Sequence, residues 1–135
     1  LSAVITDLGT AQFLVSLLSD SMPAFLLPSI IFILGSIISF ATGTSYGTMG
    51  ILMPLAIPLA AALSSDPEFI VISAGAVLTG AIFGDHCSPI SDTTIVASLA
   101  SGCELLDHTR TQLPYALSVA GVTIFGYIMM GLFFI

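Results

Sequence analysis

The sequence predicts an all-α polytopic membrane protein, and three observations carry that expectation. Charge is scarce: apolar residues make up 56% of the chain and Asp, Glu, Lys and Arg together 7%, against about 25% charged residues in an ordinary soluble domain. A soluble chain of 135 residues cannot cover its surface with so little charge, whereas lipid removes the need. The apolar residues also come in runs of about twenty, the length that crosses a bilayer. Finally, two of these runs end in short stretches crowded with glycine and hydroxyl side chains.

The net charge of −7 comes from eight acids set against one base, Arg110. That balance excludes a basic nucleic-acid footprint and a polybasic patch for anionic lipid. The acids are scattered singly, so they form no solvated acidic run. The first residue is Leu1, no basic n-region precedes Asp7, and Ile135 falls inside an apolar run. The chain therefore reads as a fragment or processed piece of a longer protein. Cys87 and Cys103 match neither a disulfide framework nor a zinc spacing, and read as small residues near helix ends. No cofactor is expected.

Residues 1–20 interleave Val4, Ile5, Leu8, Phe13, Leu14, Leu17 and Leu18 with Asp7, Thr10, Gln12 and Ser16. The partly helical spacing predicts an interfacial or connecting helix. Residues 21–135 form the membrane region. Between Asp20 and Asp66 there is no charged residue and no histidine. A first arm runs over Met22–Ala41 and a second over Met49–Leu63, with Thr42–Thr48 between them. Gly43 and Gly47 there permit tight turns. Ser64–Glu68 is a turn. A third apolar segment, Phe69–Gly84, carries Gly80-x-x-x-Gly84, a pattern suited to close helix packing in lipid. After a second interruption, Asp85–Thr94, comes a short helix over Asp92–Ala100. A polar loop, Ser101–Thr111, carries Glu104, Asp107, His108 and Arg110. Gln112–Ile135 is a final charge-free span, with Pro114 suited to its first turn. The order arm, interruption, arm occurs twice, as interrupted segments do in the two halves of many transporters.

A break at membrane depth is tolerated only where protein buries it or water lines it. Pro89 lacks an N–H and stops the third helix, and it pushes Ser88 toward extended geometry. Such breaks expose carbonyls at the end of one half-helix and N–H groups at the start of the next. Carbonyls, hydroxyls and carboxylates suit a dehydrated hard cation, while the N–H ends suit an anion. The candidate translocation residues are Thr44 and Ser45 in the first break. In the second they are Asp85, His86, Ser88, Ser91, Asp92 and Thr93. Gly43, Gly47, Gly84 and Pro89 shape the two interruptions. Asp85 and Asp92 are ionisable residues at membrane depth, by default functional, and nearby acids can share a proton or a cation. Thr44, Ser45, Asp85 and Asp92 are the sodium-ligand candidates. Two bland readings stand beside these. Asp92 can simply cap the following helix, and His86, a proton relay in the sharper reading, can simply bond to the broken backbone. His108 reads as structural.

Three stretches taken together resemble the NhaC-type Na+/H+ antiporter family. They are Gly43-Thr44-Ser45-Tyr46-Gly47-Thr48, the run Phe83-Gly84-Asp85-His86-Cys87-Ser88-Pro89-Ile90-Ser91-Asp92-Thr93-Thr94, and Asp107-His108-Thr109-Arg110-Thr111-Gln112-Leu113-Pro114-Tyr115. The resemblance covers most of Met22–Tyr115. Tyr46 stands where the resemblance leads one to expect an aromatic residue, often Trp. The resemblance implies a secondary transporter of two inverted repeats, each with a re-entrant hairpin and a discontinuous helix. In this chain the hairpin would be 22–63, with Thr44 and Ser45 at its tip, and the broken helix 69–100. A first arm of about twenty residues is long for half a hairpin, so a full span followed by a separate half-helix stays open.

The function these readings imply is exchange of Na+ for H+, as transported ions, by a multi-pass protein of the cell membrane and not an enzyme. Lipid surrounds it, the missing N-terminal half of the same transporter completes it, and a homodimer is compatible with it. The alternative is an organic-anion antiporter of the lactate or malate type coupled to Na+ or H+. It is weakened by the lack of any Arg or Lys near either break. An intramembrane aspartyl protease is a remote reading, since Asp85 and Asp92 lie on one segment. A passive scaffold leaves the breaks without purpose. Thr44 or Ser45 is expected within about 10 Å of Asp85 or Ser88, because one ion must be shared by short side chains. Arg110 places Ser101–Thr111 on the cytoplasmic side.

Overall fold

The structure, a computed structural model, describes residues 23–133 continuously, together with 4, 7–9, 13 and 16. The connecting helix expected over 1–20 lies outside the described residues apart from those six positions. A 3-10 turn, Ala24–Leu26, leads into α1 (Leu27–Thr42), α2 (Ser45–Leu63), α3 (Pro67–Cys87), α4 (Asp92–Ser101) and α5 (Leu105–Phe133). No strand occurs among the described residues. Among the described residues, four stretches are long and apolar enough to cross a membrane: Ala24–Thr42, Ser45–Leu63, Pro67–Cys87 and Leu105–Phe133.

Local chemistry sets the ends of these helices. α1 stops at Gly43, whose φ of 66° is the left-handed conformation that a glycine takes without strain. Thr44 then caps α2, its Oγ1 accepting from the Gly47 N–H at 3.3 Å. This corrects the first interruption, expected over seven residues from Thr42 to Thr48. Only Gly43 and Thr44 leave the helix. Thr48 is buried inside α2, where its hydroxyl donates to the Thr44 carbonyl at 2.9 Å. Hydroxyls that signal a break in sequence here satisfy the helix's own backbone. α2 is therefore one helix and not a half-helix beginning at Met49. Asp66 caps α3, accepting from the Glu68 N–H at 3.0 Å.

α1 and α3 form the centre of the bundle and touch more extensively than any other pair. The reason is glycine. A Cβ on Gly80 would sit 2.5 Å from the Phe32 carbonyl oxygen, and one on Gly84 would strike the Ser36 carbonyl. The expected Gly80-x-x-x-Gly84 packing pattern is thus a seam that brings α3 directly onto the α1 backbone. Around it lie buried Leu27, Phe32, Leu52, Phe69, Val77 and Tyr127. The Phe32 ring stands 5.9 Å from the rings of both Phe83 and Tyr127.

α5 runs antiparallel to α1. Near its C-terminal end Gly131 abuts the Phe25 carbonyl, and further along Ser29 Oγ donates to the Ile124 carbonyl at 3.5 Å. At the opposite end Gln112 Nε2 reaches the His86 carbonyl at 3.5 Å. The expected loop over 101–111 is a second correction. Only 102–104 are non-helical, because Gly102, at φ 63°, turns the chain and α5 begins at Leu105. Asp107 suits its first turn, and Arg110 lies exposed on its side. Pro114 is consequently interior to α5 instead of opening it.

One end of the bundle thus gathers Pro23, Ser64–Glu68 and Phe133. At the other level the α1–α2 turn meets the gap between α3 and α4. α4 and the first turns of α5 continue beyond that level.

Candidate functional site

The second break is four residues, Ser88–Ser91, narrower than the expected Asp85–Thr94. Asp85 occupies the last turn of α3, and Asp92, Thr93 and Thr94 open α4. The arrest at Pro89 is as the sequence predicts.

Asp85 is 8% exposed, at the helix end where free carbonyls gather and the dipole is negative. Ser91, fully buried, donates from Oγ to Asp85 Oδ1 at 2.7 Å. Ser91 Oγ also lies 2.8 Å from Thr93 Oγ1. A serine hydroxyl has one proton, so with that proton on Asp85 the Thr93 hydroxyl is the donor to Ser91. The result is a chain, Thr93 to Ser91 to carboxylate, whose members polarise one another.

Ser88 works differently. It is fully buried, its Oγ donates to the Phe40 carbonyl at 2.8 Å, and it accepts from the Ile90 N–H at 3.3 Å. Its hydroxyl fastens the end of α1 to the break. Gly43 makes the same junction from the other side: a Cβ there would lie 2.9 Å from the Ile90 side chain. The tip of the α1–α2 pair and the break therefore pack against each other.

Among the described residues, the other expected side chains form no hydrogen bond with the Asp85 carboxylate, which is held by Ser91. Thr44 is exposed and spends its hydroxyl on the α2 cap, and Ser45 is half-buried beside it. Asp92 is exposed, its Oδ1 accepting from the Thr93 N–H at 2.8 Å. The His86 side chain is exposed and lines a cleft of about 390 Å³ with Phe32, Thr79, Val119 and Thr123. The His86 carbonyl, freed at the helix end, takes a hydrogen bond from Thr94 Oγ1 at 3.2 Å.

Several polar residues escape a reading from sequence. Thr94 is one. Ser39, wholly buried, donates to the Ala81 carbonyl at 2.5 Å, and the Thr79 and Tyr127 hydroxyls meet at 2.8 Å. The available signal is the spacing of Ser36 and Ser39, which places both on the α1 face that meets the glycines.

Among the described residues no three His, Cys, Asp or Glu side chains gather as a metal cluster. The site is one carboxylate with hydroxyls and helix-end carbonyls around it. That set suits a proton or a hard monovalent cation, and the chain's one base, Arg110, is exposed on α5 beyond the break.

Comparison with known proteins identifies a family and several relatives. The model of the Na+/H+ antiporter family matches residues 1–132. An uncharacterized protein of Haemophilus influenzae is 46% identical over 131 residues, 97% of this chain and 25% of the relative. The Na+/H+ antiporter NhaC of Alkalihalophilus pseudofirmus is 39% identical over 95 residues, 70% of this chain and 20% of the relative. The malate-2H+/Na+-lactate antiporter of Bacillus subtilis is 37% identical over 107 residues, 79% of this chain and 22% of the relative. The chain thus spans a quarter or less of the length of these relatives. No solved structure gives a significant match. With its apolar helices, the chain is that of a multi-pass membrane protein.

Proposed function

The chain belongs to the Na+/H+ antiporter family, and from that premise we propose that it supplies the carboxylate at which Na+ and H+ exchange. The observation that carries this reading is Asp85, buried at the carbonyl end of α3 and held by Ser91 across the break. A carboxylate in such a place does not stay charged and alone. It takes a proton or a cation, and alternation between the two is an exchange cycle. In the cation-bound state Thr44, Ser45, Asp92 and the rest of the polypeptide contribute further oxygens.

The same reading assigns α1–α2 as a re-entrant hairpin and α3–α4 as a discontinuous helix, one of two inverted repeats in a cell-membrane protein. Its support is the packing of the hairpin tip on the break, with α4 and the start of α5 reaching further. Each arm, nineteen residues, is about 28 Å long. It exceeds half of a hydrocarbon core about 30 Å thick, so the hairpin lies tilted or its polar open end stands in the interface.

The test uses the full-length transporter in sealed proteoliposomes. An imposed Na+ gradient is expected to drive proton movement in the opposite direction. A second reading, organic-anion exchange, draws on the Bacillus subtilis malate-2H+/Na+-lactate relative. No proton response to Na+ alone, with a response once lactate or malate is supplied, would replace the first reading by the second.

A further inference from the structure

α2 carries two prolines in its interior, Pro54 and Pro58. A proline has no N–H, so the carbonyl four residues earlier loses its helical partner. Pro54 frees the Gly50 carbonyl and Pro58 frees the Pro54 carbonyl, one turn apart on the same side of the helix. From Met49 to Leu63 no residue has a hydroxyl, amide or charged side chain, so no side chain of this stretch can satisfy these oxygens. Backbone oxygens without partners do not face lipid. They face protein donors or water.

The side of α2 that carries them is open. Thr48, Leu52, Ala56, Leu59 and Ala60 are buried against the bundle, while Gly50, Ile57, Pro58 and Ala61 on the other side are exposed. Nothing lies within 4 Å of a Cβ built on Gly50. The exposed side of α5, in contrast, is bulky, with Val119, Val122, Phe125 and Phe133. Hydrocarbon chains are well met by that second surface and poorly by the first. At one end of the open α2 face are Asp66 and Glu68, with no base near them in the bundle. At its other end is the turn that packs on the break beside Asp85.

We propose that the Gly50–Pro54–Pro58–Ala61 face of α2 lines a water-filled conduit, closed by the rest of the polypeptide, that carries hydrated monovalent cations between the Asp66–Glu68 end and Asp85. The inference rests on the transport reading above. The freed carbonyls give a moving cation successive oxygen contacts without a deep binding site. The two acids at the mouth raise the local cation concentration.

The experiment is thiol accessibility in the full-length transporter, in a background cleared of reactive cysteines. Gly50→Cys, Ile57→Cys and Ala61→Cys are compared with Val122→Cys and Phe125→Cys, using charged, membrane-impermeant methanethiosulfonates. A thiolate, which forms in water and not in hydrocarbon, attacks the reagent's sulfenyl sulfur, forming a mixed disulfide and expelling methanesulfinate. The α2 positions are expected to react at least about tenfold faster than the α5 positions, a difference worth about one pKa unit. The cationic reagent is expected to outpace the anionic one. Three reporters are used so that the failure of one variant to insert leaves two. Reaction at the α2 positions no faster than at Val122→Cys overturns the conduit, and loss of the cationic preference overturns its selectivity. Neither result touches the exchange assay, so a failure here and a failure of the Na+/H+ reading remain distinct.

Discussion

Ser91 Oγ donates to Asp85 Oδ1 at 2.7 Å across the gap between α3 and α4. The two residues belong to different helices, so the state of the carboxylate and the geometry of the break are tied together. Asp85→Asn keeps the volume and one oxygen but removes the titration. The variant is expected to insert normally and to lose Na+-dependent proton movement in proteoliposomes. Wild-type exchange across the pH range in Asp85→Asn would make Asp85 structural.

Ser91→Ala removes a donor to the carboxylate. A hydrogen bond to a charged group contributes about 1.5–3 kcal/mol. Its loss is expected to slow Na+-driven proton movement by at least about tenfold, the factor that about 1.4 kcal/mol represents. Ser91→Thr, which keeps a hydroxyl, should restore most of the wild-type rate. A wild-type rate in Ser91→Ala would separate Ser91 from the exchange site.

Ser88 donates from its hydroxyl to the Phe40 carbonyl. Ser88→Ala removes the acceptor of the Ile90 N–H and the donor to the Phe40 carbonyl, a loss of about 0.5–1.5 kcal/mol per bond. A lower unfolding temperature in detergent is expected, whether or not Na+ is present. A loss of stability seen only in Na+ would instead return Ser88 to the ion's coordination shell.

Gly84→Ala places a methyl against the Ser36 carbonyl, whereas Gly126 has open space around it. The first substitution is expected to abolish the folded yield in the membrane. The second is expected to be tolerated, with helix propensity favouring Ala by about 1 kcal/mol. A matching loss at Gly126→Ala would mark that side of α5 as a packing face for the rest of the polypeptide.

Membrane orientation follows from Arg110. Cys103, exposed in the 102–104 turn, should label from the cytoplasm, and a cysteine at position 66 from the outside. The reverse pattern would invert the assignment.

Helix number and the position of the α3 break are legible in the sequence because lipid imposes a length on apolar runs and Pro89 leaves no choice. Extents are less legible. Thr48 and Thr42 look like breakers, yet each donates back to its own helix, and nothing local distinguishes the two uses. The segment 105–111 reads as loop because charges usually mark the end of a span, while the actual stop is Gly102. Within the site, Asp85 stands out as an acid after an apolar helix. Its partnership with Ser91 and the outward position of Asp92 depend on how the chain turns at Pro89, which spacing alone does not fix. Ser39 and the Thr79–Tyr127 pair are hidden for another reason. Single hydroxyls inside an apolar run look like filler until a second helix supplies their partners.

The contact of Gly80 and Gly84 with the carbonyls of Phe32 and Ser36 sets a limit on motion. A seam of Cα against carbonyl works like a toothed rack: sliding α1 by one residue, about 1.5 Å, would drive α3 into the backbone oxygens beside each glycine. Shear between these helices is therefore blocked, and any alternation of access must carry them as one rigid body. Spin labels on the exposed positions Ile33 and Leu78 should then report a single distance in sodium and in acid, while pairs bridging this body and the remainder of the transporter change theirs.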